Sequence, residues 1–515
     1  MQAATLEGQE TVLAATRPFS ERARLALRRV LRGRPLWIGL ALFLLACATR
    51  LMLVRTARFT GDEVRFWQAA TGIATGTSFP LLGPSITGGG AQHPGPLFYA
   101  LMAVPLFFSK APEACNVFVA LLGGCSVVLY WSALRPYFGQ VGATFAALLM
   151  ACMPWCTMYG ERIWNPNALV FLLALAFWSA CRMRRKPSLG ALILLLVSSA
   201  GMPHFHMSSP MVWLALSPIF LPSFRCWRWY WVPVALGCAA ILYVPMLISE
   251  TRTHWMNAHL FLTETGKGAF PDDWKRVPLW AFRLLTLDIS YQQLHSYWGE
   301  HTEGQMLSFL VHGNEDFTWS PIRWLLVGLS FVFAAFTVVH WVTRSTRRGR
   351  PFLWAALVGL VTNTLLLEVA HKPIHGHYVS PLLPFYFVAF AALGRAAIQW
   401  KRAYWLVYGG ALVMCLGGID AALWVSHTLD ARTGLGTIRE VIAAIEKDHP
   451  GARSVSLSYG FHGSPSGFGA IGALTQPPLA FNGGPQYRLM LRDAPAPTGS
   501  HAIMSTGPVT LYGWR

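Results

Sequence analysis

Leu36-Trp37-Ile38-Gly39-Leu40-Ala41-Leu42-Phe43-Leu44-Leu45-Ala46-Cys47-Ala48-Thr49-Arg50-Leu51-Met52-Leu53-Val54 is the first apolar run of the chain. A helix rises 1.5 Å per residue, so about 20 residues cross the ~30 Å hydrocarbon core of a bilayer. The run follows 35 polar, arginine-rich residues that carry no cleavable signal pattern, so it is expected to stay as a helix. Further candidate spans lie at 114–132, 139–157, 167–182, 188–203, 208–223, 229–248, 321–343, 351–370, 379–397 and 403–426. The 515 residues are 54% hydrophobic and 12% charged. The expected fold class is therefore an all-α polytopic membrane protein with about eleven transmembrane helices. Leu97–Phe108 is only about a dozen residues long and follows Pro94 and Pro96, so it suits a helix lying in the interface.

The net charge of +18 does not point to nucleic acid. The basic residues sit mainly between apolar runs, where they orient a membrane protein. With the N-terminus inside, one set of connections carries Arg135, then Arg182, Arg184, Arg185 and Lys186, then Arg225 and Arg228. It continues with Arg344, Arg347, Arg348 and Arg350, then Arg395, Lys401 and Arg402. The short connections on the other side carry only Arg162 and Lys372. A spanning 97–108 would turn the basic loops outward, against this bias. The nine cysteines fall mostly inside apolar runs and form no CxxC pair, so a disulfide framework is not expected.

This topology divides the chain into a basic cytoplasmic segment (1–35), a transmembrane domain (36–426) and a C-terminal extramembrane domain (427–515). The transmembrane domain has large outer loops at 55–113 and 249–320. The C-terminal domain begins with a helical pattern, Ile438 to Ile445. Strand-like runs at Ser454–Ser458 and Pro508–Tyr512 follow, as in a small α/β unit.

The polar residues gather on the outer face. Asp62 and Glu63 form adjacent carboxylates just beyond the first span, in a chain with only 23 acidic residues. A carboxylate pair at a membrane edge is a candidate general base, although acidic residues also cap helix N-termini. His93 stands in Gln92-His93-Pro94-Gly95-Pro96, which also reads as a turn. Arg162 lies beside Glu161 and Asn165. Lys372 lies in His371-Lys372-Pro373-Ile374-His375-Gly376-His377-Tyr378. As cations, Arg162 and Lys372 suit a phosphate, while a snorkelling side chain is the plainer reading. His204 and His206 have the spacing of a metal pair but lack a third ligand, so they stand as pocket residues with His375. No divalent metal or other cofactor is assigned. No phosphate-cradling glycine loop is present, which argues against nucleotide-driven work.

The order of motifs resembles the GT-C superfamily of membrane glycosyltransferases. After the Asp62-Glu63 loop come His93-Pro94-Gly95-Pro96-Leu97-Phe98-Tyr99 and the inside turn Arg135-Pro136-Tyr137-Phe138-Gly139. The outside segment Glu161-Arg162-Ile163-Trp164-Asn165-Pro166-Asn167 and the stretch His377-Tyr378-Val379-Ser380-Pro381-Leu382-Leu383-Pro384 follow. Within that superfamily the order is most similar to protein O-mannosyltransferases and the lipid A aminoarabinose transferase. The resemblance implies a polyprenyl-phosphate sugar donor, and a lipid, glycan or protein acceptor carrying a hydroxyl or amine. It implies Asp62 as base, Glu63 as the second acidic position, and inversion in a single displacement. It implies phosphate contacts from Arg162, Lys372, His377 and Tyr378, with His93 and Arg58 beside them. His377 stands where arginine is commoner in the family. The implied location is the bacterial inner membrane, with the N-terminus cytoplasmic and the C-terminus periplasmic, among membrane lipids.

A lipid or glycan transporter or flippase would also be polytopic and basic, but would be expected to place ionisable groups at mid-bilayer and to show internal repeats. A ligase using diphosphate-linked donors would share most of the chemistry, and a comparison of monophosphate with diphosphate donors separates it.

Overall fold

The computed structural model describes residues 34–515 except 60, 87–89, 154–155, 158–159, 161, 265–276, 288–320, 371–375, 401–403, 429–433, 460–469, 476–477, 482–483, 492–493, 507–508 and 515. The N-terminal half runs α1 (Arg34–Leu51), α2 (Asp62–Thr75), α3 (Leu97–Leu106), α4 (Pro112–Cys152), α5 (Asn165–Arg185), α6 (Leu189–Gly201) and α7 (Val212–Phe220). Next come α8 (Trp231–Ala240), α9 (Val244–Arg252), α10 (Met256–Glu264), α11 (Val277–Arg283), α12 (Pro321–Arg344) and α13 (Arg350–Ala370). A 3₁₀ turn, Gly376–Leu382, leads into α14 (Leu383–Ala397) and α15 (Tyr404–Thr428). The C-terminal unit holds α16 (Leu435–Asp448), β1 (Ser456–Tyr459), β2 (Gln486–Leu491), β3 (His501–Thr506) and β4 (Val509–Gly513).

Among the described residues, 7 helices are long and apolar enough to cross a membrane, and four shorter apolar helices accompany them. Three of the shorter ones coincide with expected spans. The fourth is α3, the expected interfacial helix. Its 10 residues cover about 15 Å, half of a bilayer core. It ends at Phe107 and Phe108, which are exposed.

The 41-residue α4 holds two expected spans. Trp131 Nε1 donates to Thr144 Oγ1 at 3.1 Å. Thirteen residues of straight helix would separate these side chains by about 20 Å, so the chain must reverse between them. The reversal is at Gly139, whose φ of 74° lies in the left-handed region that glycine enters freely. Arg395 Nη1 donates to the Tyr137 carbonyl at 2.6 Å and ties α14 to this reversal. Helix α14 sits deep in the bundle, and small residues let its backbone approach closely. A Cβ on Gly142 would lie 2.5 Å from the Ala391 carbonyl, and one on Gly394 would lie 2.7 Å from Phe145.

In the C-terminal unit, α16 buries Ile438, Val441, Ile442 and Ile445, which form one helical stripe. The sheet order is β1-β2-β4-β3, with β1 parallel to β2 and the remaining pairs antiparallel. Tyr487, Leu489, Val509 and Leu511 give the sheet its buried face.

Candidate active site

Helix α2 separates the two carboxylates of the Asp62-Glu63 pair. Successive residues on a helix point about 100° apart. Residues 63, 66, 67 and 70 make the buried stripe of α2, so Glu63 occupies a core position. Asp62 falls on the open side, half exposed, and accepts from Arg65 Nη2 at 2.6 Å. Gly61, with φ of 47°, makes the turn into the helix. Burial pushes the Glu63 carboxyl above its ordinary range; the Arg58 charge, a backbone N–H and then Arg162 pull it back. Two arginines thus bear on one buried acid, and one of them arrives from a loop about 100 residues away.

Arg162 is itself buried. Its carbonyl accepts from Trp164 N at 2.8 Å and from Asn167 Nδ2 at 3.4 Å, which holds the loop at the start of α5. Asn165 Nδ2 donates to the Phe205 carbonyl and joins this loop to the 202–206 turn. The Trp164 ring meets His377 edge-on, with centroids 4.8 Å apart. His377 packs on Tyr378 at 4.5 Å and on His206 at 5.0 Å, and His206 packs on Tyr378 at 4.9 Å. The 376–382 turn is held by Asn363 Nδ2, which donates to the Tyr378 carbonyl at 3.2 Å.

His206 Nδ1 accepts the Ser208 backbone N–H at 3.2 Å, so a neutral His206 carries its proton on Nε2. His93 has the opposite tautomer, because its Nδ1 donates to the Pro203 carbonyl at 2.7 Å. Burial lowers the His93 ring to about 4, against that hydrogen bond. A small antiparallel pairing holds its backbone. His93 N donates to the Pro84 carbonyl and Gly83 N to the His93 carbonyl, both at 2.9 Å. Asn257 exchanges two hydrogen bonds with Gln92, at 2.7 and 3.2 Å.

The structure thus groups Glu63 with Arg58 and Arg162, and it groups Trp164, His206, His377 and Tyr378, with His93 next to His206 at 6.3 Å. His204 makes its contacts on other residues than His206 does. Its ring lies on Gly95, where an added Cβ would fall 2.4 Å from Cε1, and it packs edge-on against Tyr243. No group of three potential metal ligands forms among the described residues. Glu161, Lys372 and His375 lie outside the described residues.

The pattern of the dolichyl-phosphate-mannose-protein mannosyltransferase family matches residues 92–249, which include the His93 loop, Arg162, Asn165 and the 202–206 turn. By sequence, no curated protein matches this chain. In three dimensions, ArnT from Cupriavidus metallidurans bound to undecaprenyl phosphate superposes with a TM-score of 0.55 at 14% identity. The match covers 93% of this chain and 98% of that one. The chain therefore shares the fold of this ArnT. The apo form of the same ArnT gives a TM-score of 0.53 at 13% identity, covering 92% and 97% of the two chains. An Archaeoglobus fulgidus oligosaccharyltransferase tethered to an acceptor peptide reaches 0.42 at 13% identity. It covers 81% of this chain and 57% of that one, a distance at which likeness carries no argument.

Within this fold, one buried cation escaped the reading of motifs. Arg50, in the last turn of α1, is 1% exposed. It donates to the carbonyls of Ala46 at 2.8 Å, Ala151 at 3.3 Å and Met150 at 3.5 Å. A Cβ on Gly160 would lie 2.6 Å from Arg50 Nε, so this guanidinium sits directly under the loop that carries Arg162. An arginine inside an apolar run was the available signal.

Proposed function

We propose that this GT-C fold transfers a sugar from a polyprenyl-phosphate donor to a hydroxyl or amine acceptor at the outer membrane face. One observation carries the reading: a buried carboxylate under the field of two arginines, at the edge of a bundle that superposes on ArnT over nearly its whole length. The ArnT structure holds undecaprenyl phosphate, which favours a lipid monophosphate donor here as well. Asp62, half exposed at the helix start, takes the proton from the acceptor as that atom attacks the anomeric carbon. The bond from that carbon to the phosphate oxygen breaks on the opposite face, giving inversion, and the electron pair leaves on the lipid phosphate. Arg162, Lys372 and Arg58 stabilise this developing charge. His377, whose ring meets Trp164 two residues along the chain from Arg162, serves the donor with Tyr378; His206 packs on both, and Glu63 holds Arg58 and Arg162 in register. His93 acts as a strut, because its single ring N–H is committed to Pro203.

The proposed topology has eleven crossings of a bacterial inner membrane, a cytoplasmic N-terminus and a periplasmic C-terminus. The test reconstitutes the protein in liposomes with sugar-loaded polyprenyl monophosphate or diphosphate. Mass spectrometry of envelope glycolipids and glycoproteins, with and without the protein, then identifies the acceptor. Transfer from the monophosphate alone supports the reading. Transfer from the diphosphate alone, or lipid movement without transfer, overturns it.

A further inference from the structure

The loop that leads from α1 to the two carboxylates is bound by a segment almost 400 residues later. Leu435 N donates to the Ala57 carbonyl at 3.1 Å, and Gly436 N donates to the Arg55 carbonyl at 2.7 Å. Gly434 pairs with Arg58 as an antiparallel bridge. The first N–H groups of a helix have no partner within it, so α16 uses the loop carbonyls as its cap. The contact is tight: a Cβ on Gly436 would lie 2.9 Å from the Arg55 oxygen, leaving room only for glycine. Leu435, Ala57 and Phe59 are buried there.

Side chains repeat the attachment on both flanks. Arg439 reaches Glu113, in the first turn of α4, through two nitrogens, with Nη2 at 2.8 Å from Oε2. Glu440 accepts from Arg55 at 3.1 Å on one side and from Thr506 of β3 on the other. These pairs are partly exposed, and such pairs contribute little on their own. Their use is geometric, because each fixes a different side of the same helix turn. Only four residues separate Arg58 from Glu63. Any displacement of the 55–58 backbone therefore moves Arg58, whose charge bears on the buried acid.

We infer that the first turn of α16 is a positioning element. The C-terminal domain holds the backbone of residues 55–58 so that Arg58 remains opposite Glu63 during sugar transfer. Gly436 is the positioning residue on which this depends, with Arg439 as its outer latch. The inference rests on the glycosyltransferase reading for its effect on turnover, and on the contacts alone for its effect on the loop.

The experiment uses the full-length protein in detergent and in liposomes. Gly436→Val should speed amide exchange across residues 52–60 and 434–440 about ten-fold or more, while exchange in α5 and α14 stays at the parental rate. Turnover should fall roughly ten- to a hundred-fold, as expected when a catalytic group is misplaced by about 1 Å, with acceptor KM unchanged. Arg439→Glu should show a smaller form of the same defect. The double change Arg439→Glu with Glu113→Arg should restore turnover, which mere loss of folding would not allow. The inference is overturned by parental exchange at 52–60 in Gly436→Val, or by loosened exchange with undiminished kcat. An inactive parent protein with loosened 52–60 exchange in the variant would count against the transferase reading while still supporting the clamp on the loop.

Discussion

Arg65 and Asp62 meet across one turn of α2, with Arg65 Nη2 2.6 Å from Asp62 Oδ1, and the pair stands on the open side of a helix whose next residue, Glu63, is buried. One turn of helix thus presents an accessible carboxylate and hides its neighbour. The consequence for activity is direct. Asp62→Asn is expected to abolish transfer. The exposed ion pair contributes only about 0.3–0.5 kcal/mol, so the melting temperature should move little. A variant with turnover within a few-fold of the parent would remove Asp62 from the role of base.

Arg162 should act on the donor. A charge-assisted contact to phosphate contributes about 1.5–3 kcal/mol, or roughly ten- to a hundred-fold. Arg162→Ala should weaken polyprenyl-phosphate use by that factor and leave acceptor KM close to parental. Arg162→Lys should recover only part of it, because ammonium lacks the planar fork. Steady-state kinetics with each substrate varied in turn provide the check. An effect confined to acceptor KM would move the phosphate site elsewhere.

His93 should make stability sensitive to acid. In the folded protein its ring titrates at about 4, below the ordinary 6.5, so the unfolded chain binds the proton first. The sign follows: this contribution is complete above about pH 6.5 and is lost as the pH falls toward 4. The total is about 3 kcal/mol at pH values below both. His93→Asn keeps a donor for the Pro203 carbonyl and should flatten the loss between pH 6.5 and 4. His93→Ala leaves that carbonyl without its partner and should cost about 1–3 kcal/mol at neutral pH. Thermal melts in detergent across this pH range distinguish the three proteins.

A native reporter tests the topology. Cys226 is exposed and sits beside Arg225 in a basic connection. A membrane-impermeant thiol reagent should leave it untouched in intact spheroplasts and label it after lysis, because basic connections stay inside. A cysteine introduced at Thr498, in the C-terminal domain, should behave in the opposite way. Labelling of Cys226 in intact spheroplasts would reverse the orientation and put the Asp62 loop on the cytoplasmic side.

The sequence by itself determined what depends on solvent preference and length. Apolar runs such as 36–54 and 403–426 mark helices because burying backbone polar groups in hydrocarbon leaves helices as the solution. The shortness of α3, 10 residues, was legible in its apolar run. The stripe Ile438 to Ile445 and the strand-like runs at Ser454–Ser458 and Pro508–Tyr512 read through as α16, β1 and β4, because period and polarity are local properties. The Asp62-Glu63 pair was visible because carboxylates are rare in this chain and costly at a membrane edge.

What the sequence could not rank is which carboxylate lies inside. That depends on the angle at which Gly61 launches α2, and on what packs against residues 63, 66, 67 and 70. Nor does spacing reveal that His204 lies on Gly95 and Tyr243 while His206 joins His377, since the 3₁₀ turn ends at His204 and the chain changes course before His206. Arg50 drew no reading inside the run 36–54, and only the folded chain shows it holding the Ala151 and Met150 carbonyls next to Gly160 of the Arg162 loop. The capping of α16 by the Arg55 and Ala57 carbonyls is the most distant of these decisions. Those donors and acceptors carry no mark of their partners in the sequence, because every residue has the same backbone groups. Tertiary packing alone selects which of them meet.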